Sequence, residues 1–247
     1  MLRPHQTDND HHKSNCIMAG RKNKINYEDI DIRYTIQSSM APSEGYRYRQ
    51  QINGVMLYFN DAKDPEKSIE IGKIEAHKLL LGEAANAGYS ALAVFDAHHV
   101  ILDIGETIYD FEKNDFSDAI YDHFEVPSMD LLIVYGLEIL PQYRGSEIGK
   151  YAIRDLYNNF ISGCGLMTII IYPSQLETRV PGIGESDYEW YNDMGYKTME
   201  ADEEKSIYKL LGYYTSMGFK YIPEISEDLL FHTPAKINET FNKIKLD

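Results

Sequence analysis

Cysteine is almost absent from the 247 residues: there are two, Cys16 and Cys164, beside a single tryptophan. Two thiols cannot build a disulfide framework or a cysteine-rich zinc site. Cys164 lies between two glycines with no histidine near it in sequence, so it reads as a small buried residue rather than a nucleophile. Long apolar runs are missing too. The longest, Leu131 to Leu140, is interrupted by Gly136 and Glu138, and a membrane span needs about 18 apolar residues. Positive charge is scarce, with 24 Lys and Arg against 39 Asp and Glu, a net −15. That argues against a nucleic-acid binder working by broad phosphate neutralisation. The opening residues, MLRPHQTDNDHHKSN, lack the apolar core of a secretory leader. The expectation is a reduced, cytoplasmic, soluble protein with neither nucleic acid nor membrane as partner.

What is present supports one large domain. Apolar residues make up 43% of the chain, enough for a sizeable core. Residues 1–26 are polar and aperiodic, and are expected to be a disordered tail whose His5, His11 and His12 are solvated rather than metal-bound. Residues 27–247 then carry the fold.

Alternation predicts a strand over Ile30 to Ser38. Tyr46 to Ile52 and Val55 to Phe59 flank Asn53-Gly54, which reads as a tight hairpin. Ser68 to Leu81 is a third strand region. From Ala91 the period becomes helical through Val94, Phe95, Ile101, Leu102, Ile108 and Tyr109. His98 shares that stripe, and the Asp96, His98, His99 cluster reads as a core histidine beside a surface acid rather than a metal site. Leu131 to Leu140 is a buried strand. A helix with apolar Ile148, Ala152, Ile153, Leu156, Phe160 and Ile161 follows, ending at Gly163-Cys-Gly165. Leu166 to Tyr172 is a second buried strand. Strand, turn, helix, strand is a βαβ unit with parallel neighbours. Ala201 to Met217 reads as helix, Phe219 to Ile222 and Leu229 to His232 as strands, and Lys236 to Lys245 as a short terminal helix.

The turn after the Leu131 strand is the most informative segment. A helix that starts inside a small-residue turn presents unpaired backbone N–H groups, equivalent to about half a positive charge. That is a phosphate cradle, and Arg144 and Lys150 add positive charge there. An ordinary strand-to-helix turn has the same outline.

Arg144-Gly-Ser-Glu-Ile-Gly149 resembles the coenzyme A signature of the GNAT superfamily of N-acetyltransferases: Gln or Arg, two variable residues, Gly, one variable residue, then Gly or Ala. Glu147 stands where that pattern has its middle glycine. The strand ending Glu138-Ile-Leu-Pro resembles the family's fourth strand, Leu166 to Tyr172 its fifth, and Tyr213-Tyr-Thr-Ser-Met-Gly-Phe219 its Tyr-x-x-x-Gly-Phe helix end. Residues 88 to 98 and 163 to 166 are also similar to a less-studied subgroup of that fold. The resemblance spans roughly residues 30 to 232. It implies an α/β (α+β) domain: a mixed, mostly antiparallel central sheet flanked by helices, with a central βαβ unit.

The resemblance also implies roles. Arg144, Gly145, Ser146, Glu147, Ile148, Gly149 and Lys150 would hold acetyl-coenzyme A, the acyl donor, with no metal. A backbone N–H near Ile139 or Leu140 would hold the thioester oxygen. Glu138 would deprotonate the amine acceptor, directly or through water. Tyr214 would protonate the leaving thiolate, with Tyr213 as its nearest rival; a second copy of the pattern lies at Tyr191 to Tyr196. Direct transfer in a ternary complex is expected, because no convincing nucleophile appears. Asp103 to Glu125 and Gly182 to Glu204 each hold eight acids and one Lys. Acidic walls there would favour a cationic acceptor; solvated faces of an acidic protein explain them as well. The rivals to catalysis are a silent acyl-coenzyme A-binding domain and an acidic interaction scaffold.

Overall fold

The computed structural model describes residues 27–39, 45–59, 67–96, 98–176, 180–236 and 238–244. The expected tail, with its three histidines and Cys16, lies outside the described residues.

Strands β1 (Ile30–Ser38), β2 (Arg49–Phe59) and β3 (Ser68–Leu79) form an antiparallel meander. Helices α1 (Leu81–Asn86), α2 (Ala91–Phe95) and α3 (His99–Ile108) follow. A two-stranded ribbon, β4 (Tyr109–Asp110) and β5 (Asp115–Phe116), leads to α4 (Asp118–His123). Then come β6 (Asp130–Ile139), α5 (Ile148–Phe160) and β7 (Cys164–Ile170). The chain ends with α6 (Tyr188–Asp193), α7 (Glu203–Ser216), β8 (Lys220–Tyr221), β9 (Leu229–His232) and α8 (Glu239–Asn242). The main sheet has seven strands in the order β1-β2-β3-β6-β7-β9-β8. Among the described residues β6 and β7 pair in parallel, as the βαβ reading requires, and the other neighbours pair antiparallel.

The central strands β6 and β7 have buried residues on both faces, which is why they read as near-continuous apolar runs. Leu131 and Ile133 of β6 face one core with Phe95, Ile101 and Ile108 of α2 and α3. Leu132 and Val134 face the other, with Ile148, Ile153 and Leu156 of α5 and Tyr214 of α7. Burying each such aliphatic side chain contributes about 1.5–3 kcal/mol. Among the described residues no helix is long and apolar enough to cross a membrane.

Four expectations need correction. Asn53-Gly54 is not a hairpin turn: β2 runs straight through it, with Asn53 and Gly54 paired to β1 on one side and β3 on the other. Gly54 is there for close packing, since a Cβ would stand 2.6 Å from Ile74 and 2.8 Å from Tyr34. β2 begins at Arg49, because Gly45–Tyr48 is a short 3-10 turn. The stripe from Ala91 is two helices, with α2 ending at Phe95 and α3 starting at His99. Finally, α5 stops at Phe160. Gly163, at φ +84°, turns the chain, while Cys164 and Gly165 already belong to β7.

Candidate active site at an opening between parallel strands

The β6–β7 ladder ends at Val134↔Ile169, although β6 continues to Ile139. The cause lies on the other side of β6. Ala76 pairs with Val134 and Glu75 with Gly136, so Tyr135 is an extra residue in the β3–β6 ladder. A bulge of this kind bends and twists its strand, and β6 leaves β7 from this residue onward. A cavity of about 680 Å³ occupies the opening.

One wall is the turn and the start of α5. Gly145, Glu147, Ile148, Gly149 and Lys150 line it. The helix starts without a side-chain cap, and the backbone N–H groups of Glu147, Ile148 and Gly149 find no acceptor among the described residues. Glu147 adopts the left-handed conformation at φ 64°, the geometry that favours glycine; a side chain there costs about 1–2 kcal/mol. Its carboxylate turns to Lys150, 2.9 Å away, and is more than half exposed. The side chain of Arg144 is committed elsewhere. Its guanidinium donates to the Ile139 carbonyl at 2.7 Å and the Met194 carbonyl at 2.9 Å. The Ser146 hydroxyl donates to the Tyr143 carbonyl, and the Ser146 carbonyl accepts from Tyr27. The free polar groups of this wall are therefore backbone amides.

The floor is β6. Leu140 donates its N–H to the Ile71 carbonyl at 2.9 Å, so it cannot also receive a thioester oxygen, and that half of the expectation is corrected. Antiparallel pairing alternates the direction of successive amides. With Leu140 bonded to β3, the amides of Leu137 and Ile139 face the side that β7 has left. Ile139 is thus the surviving candidate.

Glu138 is held fast. Its Oε2 accepts from the Trp190 indole at 2.6 Å, and its Oε1 accepts from the Tyr196 hydroxyl. Lys73, its partner across the ladder, lies over the Trp190 ring at 4.1 Å. Both carboxylate oxygens are thereby engaged, which ties β6 to the segment carrying Trp190 and Tyr196.

Tyr213 and Tyr214 of α7 both line the cavity; Tyr191 does not. Tyr191 packs on Tyr196 instead, beside a small cluster with Leu140 and Met194. Tyr214 is 6% exposed. The Tyr213 hydroxyl lies against Gly149, where a Cβ would come within 2.4 Å. Burial raises both phenol pKa values, so both groups stay protonated at neutral pH.

The far wall holds residues that sequence reasoning did not assign to a site. Glu75 lies over Gly136, its Oε2 3.1 Å from where a Cβ would stand. Tyr135 stacks on His77 at 4.9 Å, and burial pushes its phenol up to about 12. His98 completes the wall. Asp96, expected beside it as a surface acid, is exposed. Among the described residues no group of three or more His, Cys, Asp or Glu could hold a metal ion. None of the acids of the Asp103 to Glu125 and Gly182 to Glu204 stretches lines the cavity; its acids, Glu75, Glu138 and Glu147, are matched by Lys73, Arg144 and Lys150. Cys164 is buried and its thiol is pushed up to about 12 by that burial, which leaves it inert.

No family model, no curated protein and no solved structure matches this chain.

Proposed function

We propose that this chain is a GNAT-type N-acyltransferase that moves an acetyl or similar acyl group from coenzyme A to a primary amine. The observation that carries the reading is the opening between β6 and β7. It brings a turn of unbonded amides, a strand with free-facing N–H groups and two protonated tyrosines to one cavity. The amides of Glu147, Ile148 and Gly149 fit the phosphates of coenzyme A, as helix N-termini do. The Ile139 N–H fits the oxyanion that develops on the acyl carbon. Tyr214, or Tyr213 beside it, donates a proton to the departing thiolate. The remaining length of the cavity, toward Glu75 and His98, receives the amine. Transfer is direct, since Cys164 is buried and unreactive.

A second reading keeps coenzyme A but not turnover. It is favoured by Glu147 at the position suited to glycine and by the engagement of both Glu138 oxygens. The first test concerns the ligand shared by both. Acetyl-coenzyme A at 100 times its Kd should raise Tm by roughly 5–10 °C through selective binding to the folded state. No shift at millimolar concentration would contradict both readings.

A further inference from the structure

Resting on the acyltransferase reading, we infer that His98 is the base that takes the proton from the acceptor amine. Three observations place it there. It lines the cavity, its ring 6.4 Å from that of Tyr135. It stands at the N-cap of α3, yet its side chain makes no capping hydrogen bond. Among the described residues its buried Nδ1 has no partner, and neither ring nitrogen of His77, 1% exposed and 5.8 Å away ring to ring, is bonded. Buried polar atoms in a folded protein are nearly always satisfied. His98 lines the cavity while His77 does not, so of the two imidazoles His98 is the one a ligand in the cavity can meet. The competing candidate, Glu138, already accepts two hydrogen bonds.

The surroundings suit a base. The groups around His98 are Arg49 from β2, Glu75 and His77 from β3, Tyr135 from β6 and its neighbour His99. Burial first, then His99 and Arg49, hold the His98 imidazole below its ordinary 6.5. It is therefore neutral at pH 7 and has a lone pair to offer.

The step balances as follows. His98 accepts one proton from the ammonium group, leaving a neutral amine. The amine nitrogen attacks the thioester carbonyl, forming the C–N bond. The C–S bond breaks and its electron pair leaves on sulfur. The second amine proton reaches the thiolate by way of the tyrosine hydroxyl, and His98 returns its proton to water. The products are the amide, the free thiol and one proton.

The test is acetyl-coenzyme A-dependent release of coenzyme A with a panel of primary amines, namely spermidine, glucosamine and a lysine peptide, from pH 5 to 9. Wild-type kcat/KM should fall on the acid side with an inflection below 6.5. His98→Gln should lower turnover on the order of 10²-fold, abolish that limb and keep the acetyl-coenzyme A melting shift. His98→Ala should recover activity when imidazole is added, which a structural role would not produce. Amine-dependent release in which His98→Gln keeps the wild-type rate and acid limb would overturn this assignment alone. So would His98→Ala that is folded and inactive with imidazole present. No release from wild type with any amine would remove the acyltransferase reading, and this assignment with it.

Discussion

The two walls of the cavity are built by opposite means. The turn wall is one contiguous stretch of chain, and its working groups are backbone amides at the start of α5. The far wall is side chains, Glu75, Tyr135 and His98, drawn from β3, β6 and the start of α3. A backbone wall tolerates side-chain exchange. Arg144 can turn to two carbonyls and Glu147 can point to Lys150 without removing an amide. A side-chain wall has no such tolerance. If the proposed roles hold, substitutions at the turn should change affinity, and those at the side chains proposed to move protons should change turnover.

The largest effect should come from the tyrosine at the seam. Tyr214→Phe should lower kcat on the order of 10²-fold while acetyl-coenzyme A affinity stays nearly constant, because only the transition state uses the proton. Tyr213→Phe measured in parallel decides between the two hydroxyls. If both variants keep wild-type kcat, the thiolate does not need a protein acid.

Two buried imidazoles, His77 beside Tyr135 of the far wall and His232 of β9, should also shape acid stability. Burial, with Arg49 and His98, lowers the His77 pKa to about 3, and burial with Arg154 lowers that of His232 to about 4. Both imidazoles are held neutral in the folded state, whereas the unfolded chain takes up the proton near 6.5. Their contribution is therefore complete above about pH 6.5 and is lost as pH falls toward the folded values. Each should remove up to about 1.4 kcal/mol per pH unit in that window. Urea unfolding at pH 7, 6 and 5 measures the slope, and His77→Gln should flatten it. Stability indifferent to pH across that range would contradict the neutral assignment.

A smaller effect tests the turn wall. Gly149→Ala places a Cβ against the Tyr213 hydroxyl at 2.4 Å. It should weaken the acetyl-coenzyme A melting shift, and adding Tyr213→Phe should restore part of it, a coupling of about 0.5–3 kcal/mol. Independent effects of the two substitutions would show that the contact does not matter.

The contrast also explains what the sequence revealed. The βαβ unit was legible because Leu131 to Leu140 and Leu166 to Tyr172 are apolar on both faces, and the α5 stripe repeats with helical period. The turn was legible because its residues are neighbours in the chain. The far wall was not, because its residues meet only after the strands register and α2 breaks from α3 at Asp96. The Leu140 amide was misjudged for a related reason: which amides face the opening depends on the parity set by pairing with β3 beyond the Tyr135 bulge. Asn53-Gly54 carries strong local turn chemistry, but pairing on both sides of β2 overrode it. Nothing local marks Trp190 and Tyr196 as the donors to Glu138, 52 and 58 residues away.

The most direct measurement of the central claim is release of free thiol by the wild-type chain given acetyl-coenzyme A and each amine in turn. The account predicts release that depends on a primary amine and yields the acetylated amine in equal amount. Stabilisation by acetyl-coenzyme A without amine-dependent release across the panel would contradict it.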